Sequence, residues 1–136
     1  MCGIEAAERN PEAAVQLAKA CMKLVSEATS QLRREYAREE AARRAYEDLE
    51  TAERLFRSVV AGRPISKDAE KVIPYGADAS RVLILDVAHS YVHKAINHLK
   101  ESENVRDYSE AIELLNEARR TSAPKTLYKL VYEIAG

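Results

Sequence analysis

Tryptophan is absent from this 136-residue chain, phenylalanine occurs once, and glycine and proline number only four each. So few turn formers exclude an all-β fold, which needs turn signals at short, regular intervals. They also exclude collagen-like and low-complexity architectures. The two cysteines, Cys2 and Cys21, lack the paired spacing of a metal site or a disulfide framework, and read as free thiols of a reducing compartment. Excess charge is missing too: Lys and Arg total 21 against 22 Asp and Glu, for a net of −1. A chain built to coat nucleic acid by bulk charge would be strongly basic, and this one is not. The longest aliphatic run, Val82 to Leu85, falls far short of the ~20 apolar residues of a membrane span. The first residues lack the basic and apolar regions of a signal peptide. The expected location is cytoplasmic or virion-internal, with no membrane partner.

What is present is helix chemistry. Hydrophobic residues make up 46% and charged residues 32%, enough apolar matter for one folded domain spanning residues 1–136. Ala, Glu, Arg and Leu dominate, so the fold class expected is all-α, a helical bundle. Asn10-Pro11-Glu12 supplies an N-cap, a first-turn proline and an early acid. Neither Gly nor Pro then appears until Gly62. Over 11–61 an apolar stripe runs through Ala14, Leu17, Ala18, Cys21, Leu24, Val25, Ala28 and Leu32, and resumes as Ala42, Tyr46, Leu49, Ala52, Phe56 and Val59. Cys21 falls on that stripe as a packing residue. Two forms fit the segment. A single, gently bent helix would run ~75 Å at 1.5 Å per residue; a broken one would restart near Ser26 to Ser30, where hydroxyls can cap. The slow drift of the stripe favours the single helix.

A punctuated connection follows at 62–78, in which Ser66 to Val72 can form a short helix. Three shorter helices are expected over 79–102, 107–120 and 124–135, joined by short connections that favour antiparallel packing. Asp107-Tyr108-Ser109-Glu110 has the form of a capping box.

The stretch Asp107-Tyr-Ser-Glu-Ala-Ile-Glu-Leu-Leu-Asn-Glu-Ala, with Pro124 after it, resembles the second helix of a tetratricopeptide or MIT-type hairpin. The resemblance covers residues 84–124. It implies a protein- or peptide-binding helical scaffold, with Ala111 and Ala118 permitting close helix approach.

Candidate chemistry is sparse. Met1-Cys2-Gly3-Ile4 is similar to the start of class II glutamine amidotransferases, but helix-forming residues follow where that family needs strands. Asp86, His89 and His93 share one side of the third helix, at a spacing that suits metal ligands. Ser90, Asn97 and Lys100 share that side, which marks it as a solvated face. The pairs Glu47/Glu50 and Glu110/Glu113 have the spacing of Mg²⁺ ligands in helical pyrophosphohydrolases of the MazG type, without the partner Asp. Arg33, Arg34 and Arg38 lack the i,i+4 acid that Arg43, Arg44, Arg54 and Arg57 possess, and are the nucleic-acid candidates. The acid–arginine pairing also suits a high-temperature protein.

No catalytic, cofactor-binding or metal residue is assigned. The function expected is non-enzymatic assembly, with the chain packing against itself or another helical protein. A nucleic-acid-packaging role and a small metal-dependent hydrolase are the alternatives. The interface residues expected on the long helix are Leu17, Leu24, Leu32, Leu49 and Phe56, because a rod of that length outruns the cover its own chain can supply. Val82, Leu83, Tyr128 and Tyr132 complete the set. No small-molecule ligand is implied.

Overall fold

The computed structural model describes residues 11–61 and 81–122. Four α-helices span them: α1 over Pro11–Leu32, α2 over Glu40–Ala61, α3 over Arg81–Lys100 and α4 over Ser109–Ser122. Short 3₁₀ turns precede α2, at Arg33–Glu35, and α4, at Val105–Tyr108. No strand occurs among the described residues. The fold is an all-α bundle, as the composition dictates. Each helix packs chiefly on two neighbours, α1 on α2 and α4, and α3 on α2 and α4, so that α1 faces α3 across a diagonal. The start of α4 lies beside the end of α1, and His98 near the end of α3 meets Asp48 near the start of α2. These contacts make the order up-down-up-down.

The expectation of one long helix over 11–61 is overturned. Residues 33–39 reverse the chain, and α2 folds back along α1. The break is not at Ser26 to Ser30 either. There the helix runs on, and Thr29 and Ser30 donate their hydroxyls back to the Ser26 carbonyl at 2.9 and 3.1 Å.

The physical reason lies in the register of the core. The buried seam of α1 runs through 14, 18, 21, 25, 28 and 32, with Leu17 buried beside it; that of α2 runs through 42, 45, 49, 52, 56 and 59, with Leu55 buried beside it. Both follow the alternating three-and-four spacing of helices packed knobs-into-holes. Carried forward past Leu32, the α1 repeat lands on Glu35 and Glu39; carried back from Ala42, the α2 repeat lands on Arg38 and Glu35. A straight helix would thus place charge in the middle of its apolar seam. Reversing there removes those side chains from the seam and lets its two halves cover each other. The reversal opens in right-handed geometry: Tyr36 sits at φ −53°, ψ −45°, and the amides of Arg38 and Glu39 both bond to the Glu35 carbonyl.

The same spacing recurs in α3 at Leu85, Ala88, Val92, Ala95 and Leu99, and continues through Tyr108, Ala111, Leu115, Ala118 and Ser122. Alanine alternates with larger residues, which lets the helices approach closely around Leu49, Leu55, Phe56, Leu85, Ile96 and Leu115, all fully buried. Each such side chain contributes ~1.5–3 kcal/mol through removal from water. The capping box expected at Asp107 is not formed, since Asp107 lies inside the 3₁₀ turn and its amide bonds to the Asn104 carbonyl at 2.9 Å. The expected elements at 62–78 and 124–135 lie outside the described residues.

Because the seam closes within one chain, Phe56→Ala will lose ~3–5 kcal/mol in urea denaturation, by the same amount at every protein concentration. A loss that grows on dilution would show the seam to be shared between chains.

Candidate functional site at the loop end of the bundle

Most residues expected at an interface serve the core instead. Leu17, Leu32, Leu49 and Phe56 are buried within the chain, and Leu24 is half-buried against the same cluster. The correction follows from the reversal, which supplies each seam with cover from the other. Val82 and Leu83 belong to the first turn of α3, where side chains are outside the description, and Tyr128 and Tyr132 lie beyond it.

The polar features gather where the α1–α2 reversal meets the α3–α4 connection. Glu39, just before α2, accepts hydrogen bonds from Ser102 Oγ on one carboxylate oxygen and from Tyr108 OH on the other. Asn104 Nδ2 adds a longer one at 3.4 Å, while the Asn104 amide bonds to Ser102 Oγ at 3.0 Å. Glu39 therefore does not pair with Arg43, and it ties two loops far apart in sequence. The Ser102 and Tyr108 hydroxyls favour its ionised form and hold its carboxyl below the usual glutamate range, against a small opposing effect of burial. Burial, and then the bond to Glu39, pushes the Tyr108 phenol up, so it remains a proton donor.

Beside this tie lies a cleft of about 510 Å³ between α1 and α4. Its floor is apolar: Leu32, Tyr108 and Ala111 line it while each is almost wholly removed from solvent. Arg34, Glu35, Asp107 and Glu110 form the rim, with Ser30 and Gln31 on the α1 wall. None of the four charged rim side chains makes an ion pair or hydrogen bond among the described residues. Tyr36 projects from the same end and, at 37% exposed, is the most open of the large apolar side chains described. Its ring meets that of Tyr46 edge-on at 5.2 Å, and its hydroxyl donates to Glu47 at 3.4 Å.

The candidate arginines also reach this end. Arg33 turns into the α1–α2 groove and donates to the Tyr46 hydroxyl at 3.5 Å. Arg34 stands on the cleft rim, and Arg38 is exposed in the reversal. They share the end with Glu40, Glu101 and Glu103 besides the rim carboxylates, so its field is of mixed sign.

Other candidates do not assemble. Glu47 and Glu50 stand on α2, Glu110 and Glu113 on α4, across the bundle's other diagonal. No group of His, Cys, Asp and Glu able to hold a metal occurs among the described residues. Asp86 and His93 are exposed, as a solvated face requires, but His89 is not part of that face. Its Nδ1 lies 3.1 Å from Ser122 Oγ, and Ser122 donates to the Ala118 carbonyl at 2.8 Å. His89 must therefore be the donor of the pair. Burial lowers its pKa from the ordinary value. Cys21 points to the same place, 3.7 Å from the Ala118 carbonyl, with its thiol pushed up to about 12 by burial. This thiol is inert packing. His98 Nε2 stands 3.3 Å from Asp48 Oδ2, off the line a hydrogen bond needs, so the contact is electrostatic. Burial outweighs His98 and Lys94 there and raises the Asp48 pKa.

Sequence reasoning missed Glu35, Glu39, Ser102 and Tyr108 as a set. The one legible signal was the pair of acids at 35 and 39 on an otherwise apolar repeat.

Glu39 has a depressed pKa in the fold, so its stabilising effect is present above the unfolded value of about 4.5 and lost as pH falls through the folded value. Melting temperatures measured from pH 6 to about pH 3 should therefore fall less steeply for Glu39→Gln than for the wild type; parallel profiles would refute the loop tie. In comparisons with protein-family models, curated proteins and solved structures, the chain matches none.

Proposed function

We propose that this chain is a non-enzymatic assembly protein that acts by packing against another polypeptide, as a homo-oligomer or as a subunit of a larger particle. The loop end of the bundle is the contact surface. One observation carries the reading: the α1–α4 cleft combines a buried apolar floor with an unpaired charged rim. That arrangement is the anatomy of a protein–protein contact, where an apolar centre takes a side chain and a polar rim surrounds it. Its volume of about 510 Å³ accommodates a few side chains of a partner. Glu39 keeps the two loops tied before any partner arrives, which lowers the ordering cost of binding. Exposed Tyr36 extends the surface with a residue type enriched at such contacts.

A photo-crosslinking residue replacing Gln31, in the cleft wall, will give a discrete adduct with a second polypeptide, whether another copy or a different chain. The same residue replacing Asn97, exposed on α3, will not. Equal adducts from both positions, or none from position 31 in a chain that light scattering shows to be monomeric, would end the proposal.

A second reading is nucleic-acid packaging, favoured by the placement of Arg34 and Arg38 on either side of exposed Tyr36. Aromatic faces flanked by arginines suit single strands. On that reading, reversing the charge of Arg33, Arg34 and Arg38 abolishes salt-sensitive DNA or RNA binding; a wild type that binds neither at low salt excludes it.

A further inference from the structure

We infer that this chain has a second state, a dimer formed with another copy of itself by exchange of α1, in which the reversal at 33–39 straightens. The inference does not depend on the cleft contact proposed above. Its first support is the phase of the apolar seam. Counting in sevens from Ala14 gives Cys21, Ala28, Glu35, Ala42, Leu49 and Phe56. All except Glu35 are buried apolar residues. Two helices joined by a turn have no need to keep one phase across it. A seven-residue repeat carried through the turn is what one continuous helix paired with another requires.

The second support is the backbone of the turn. Neither glycine nor proline occurs from Glu12 to Ala61, so no residue there is a helix breaker. Leu32 and Tyr36 both have right-handed helical angles, φ −72°, ψ −23° and φ −53°, ψ −45°. Two bonds of a straight helix are already made across the turn. The Glu39 amide donates to the Glu35 carbonyl and the Arg43 amide to the Glu39 carbonyl, each at 3.1 Å.

Exchange keeps the core, because α1 of one copy takes the place on α2 and α4 that α1 of the other has left. What changes is the middle of the straightened rod. There two antiparallel helices cross at a two-fold axis, and Glu35 and Glu39 of one copy face those of the other. That like-charge contact, with the loss of the Glu39 bonds to Ser102 and Tyr108, holds the dilute chain closed. Glu35 and Glu39 are thus the gate between the two states.

The test refolds the full chain from urea as a millimolar and as a micromolar solution, with mass read by light scattering after chromatography. The concentrated sample will contain a dimer that persists on dilution until the chain unfolds; the dilute one will be monomer. Spin labels on Lys19→Cys and Arg57→Cys, in a Cys2→Ser background mixed with excess unlabelled chain, separate exchange from surface contact. In the dimer they will stand about 57 Å apart, at 1.5 Å per residue of one helix; in the folded-back pair they are far closer. Glu35→Leu with Glu39→Leu will lower the concentration at which half the chain refolds as dimer at least about tenfold. Ala37→Gly with Arg38→Gly keeps the amides of the turn, penalises a continuous helix and will raise that midpoint by about as much. A wild type that refolds wholly as monomer at millimolar concentration overturns the inference, as does a dimer that keeps the short distance. An unchanged midpoint in either variant overturns it too. Should the leucine variant aggregate, the glycine variant, which touches no core residue, decides alone.

Discussion

The fold depends on the mutual cover of two apolar seams that are continuous in sequence and antiparallel in space. A straight helix through residue 35 would carry charged side chains at the centre of its seam, with several kcal/mol lost if they were buried unpaired. Reversal at 33–39 removes that conflict and converts the seam of a rod into the core of a bundle. Once α1 and α2 lie side by side, α3 and α4 need only close the remaining faces. Their own three-and-four spacing makes them fit.

The reversal also determines where the polar chemistry sits. Displaced from the seam, Glu39 accepts the hydroxyls of Ser102 and Tyr108 and locks the reversal to the α3–α4 connection. Glu35, displaced by the same event, becomes a wall of the α1–α4 cleft. The candidate site is thus a by-product of core formation: charges that cannot be buried collect at the end where the chain turns. The opposite half of the molecule shows the contrary treatment of polar groups. There Cys21, His89 and Ser122 are brought together between helices, and all satisfy one another or a backbone carbonyl. A buried group with its partner is structure; an unpaired charge beside an apolar floor is available to a ligand.

Surface electrostatics divide along the same line. Three of the four expected acid–arginine pairs form, Glu40–Arg44 at 2.7 Å, Glu50–Arg54 at 3.8 Å and Glu53–Arg57 at 3.0 Å, while Arg43 meets Glu40 at 4.0 Å in place of Glu39. Exposed pairs of this kind contribute little individually. Their importance here is that they consume the arginines along the side of the bundle and leave Arg34 and Arg38 at its end.

Helix class, core stripes and surface pairs were legible in the sequence because each depends on neighbours within one helical turn or on repetition every three or four residues. Ala14 to Leu32 and Ala42 to Val59 could be picked out as one face without knowing what covered it. What covered it could not, because a stripe looks alike whether its partner is another molecule or the next stretch of the same chain. That choice was settled by a balance between helix continuity and the cost of charge at Glu35 and Glu39. Likewise, nothing local relates Glu39 to Ser102 and Tyr108, more than sixty residues away. The sequence by itself determined which residues avoid water; only tertiary packing decided which surfaces they hide against, since burial is indifferent to order along the chain while hydrogen-bonded ties require particular atoms to meet.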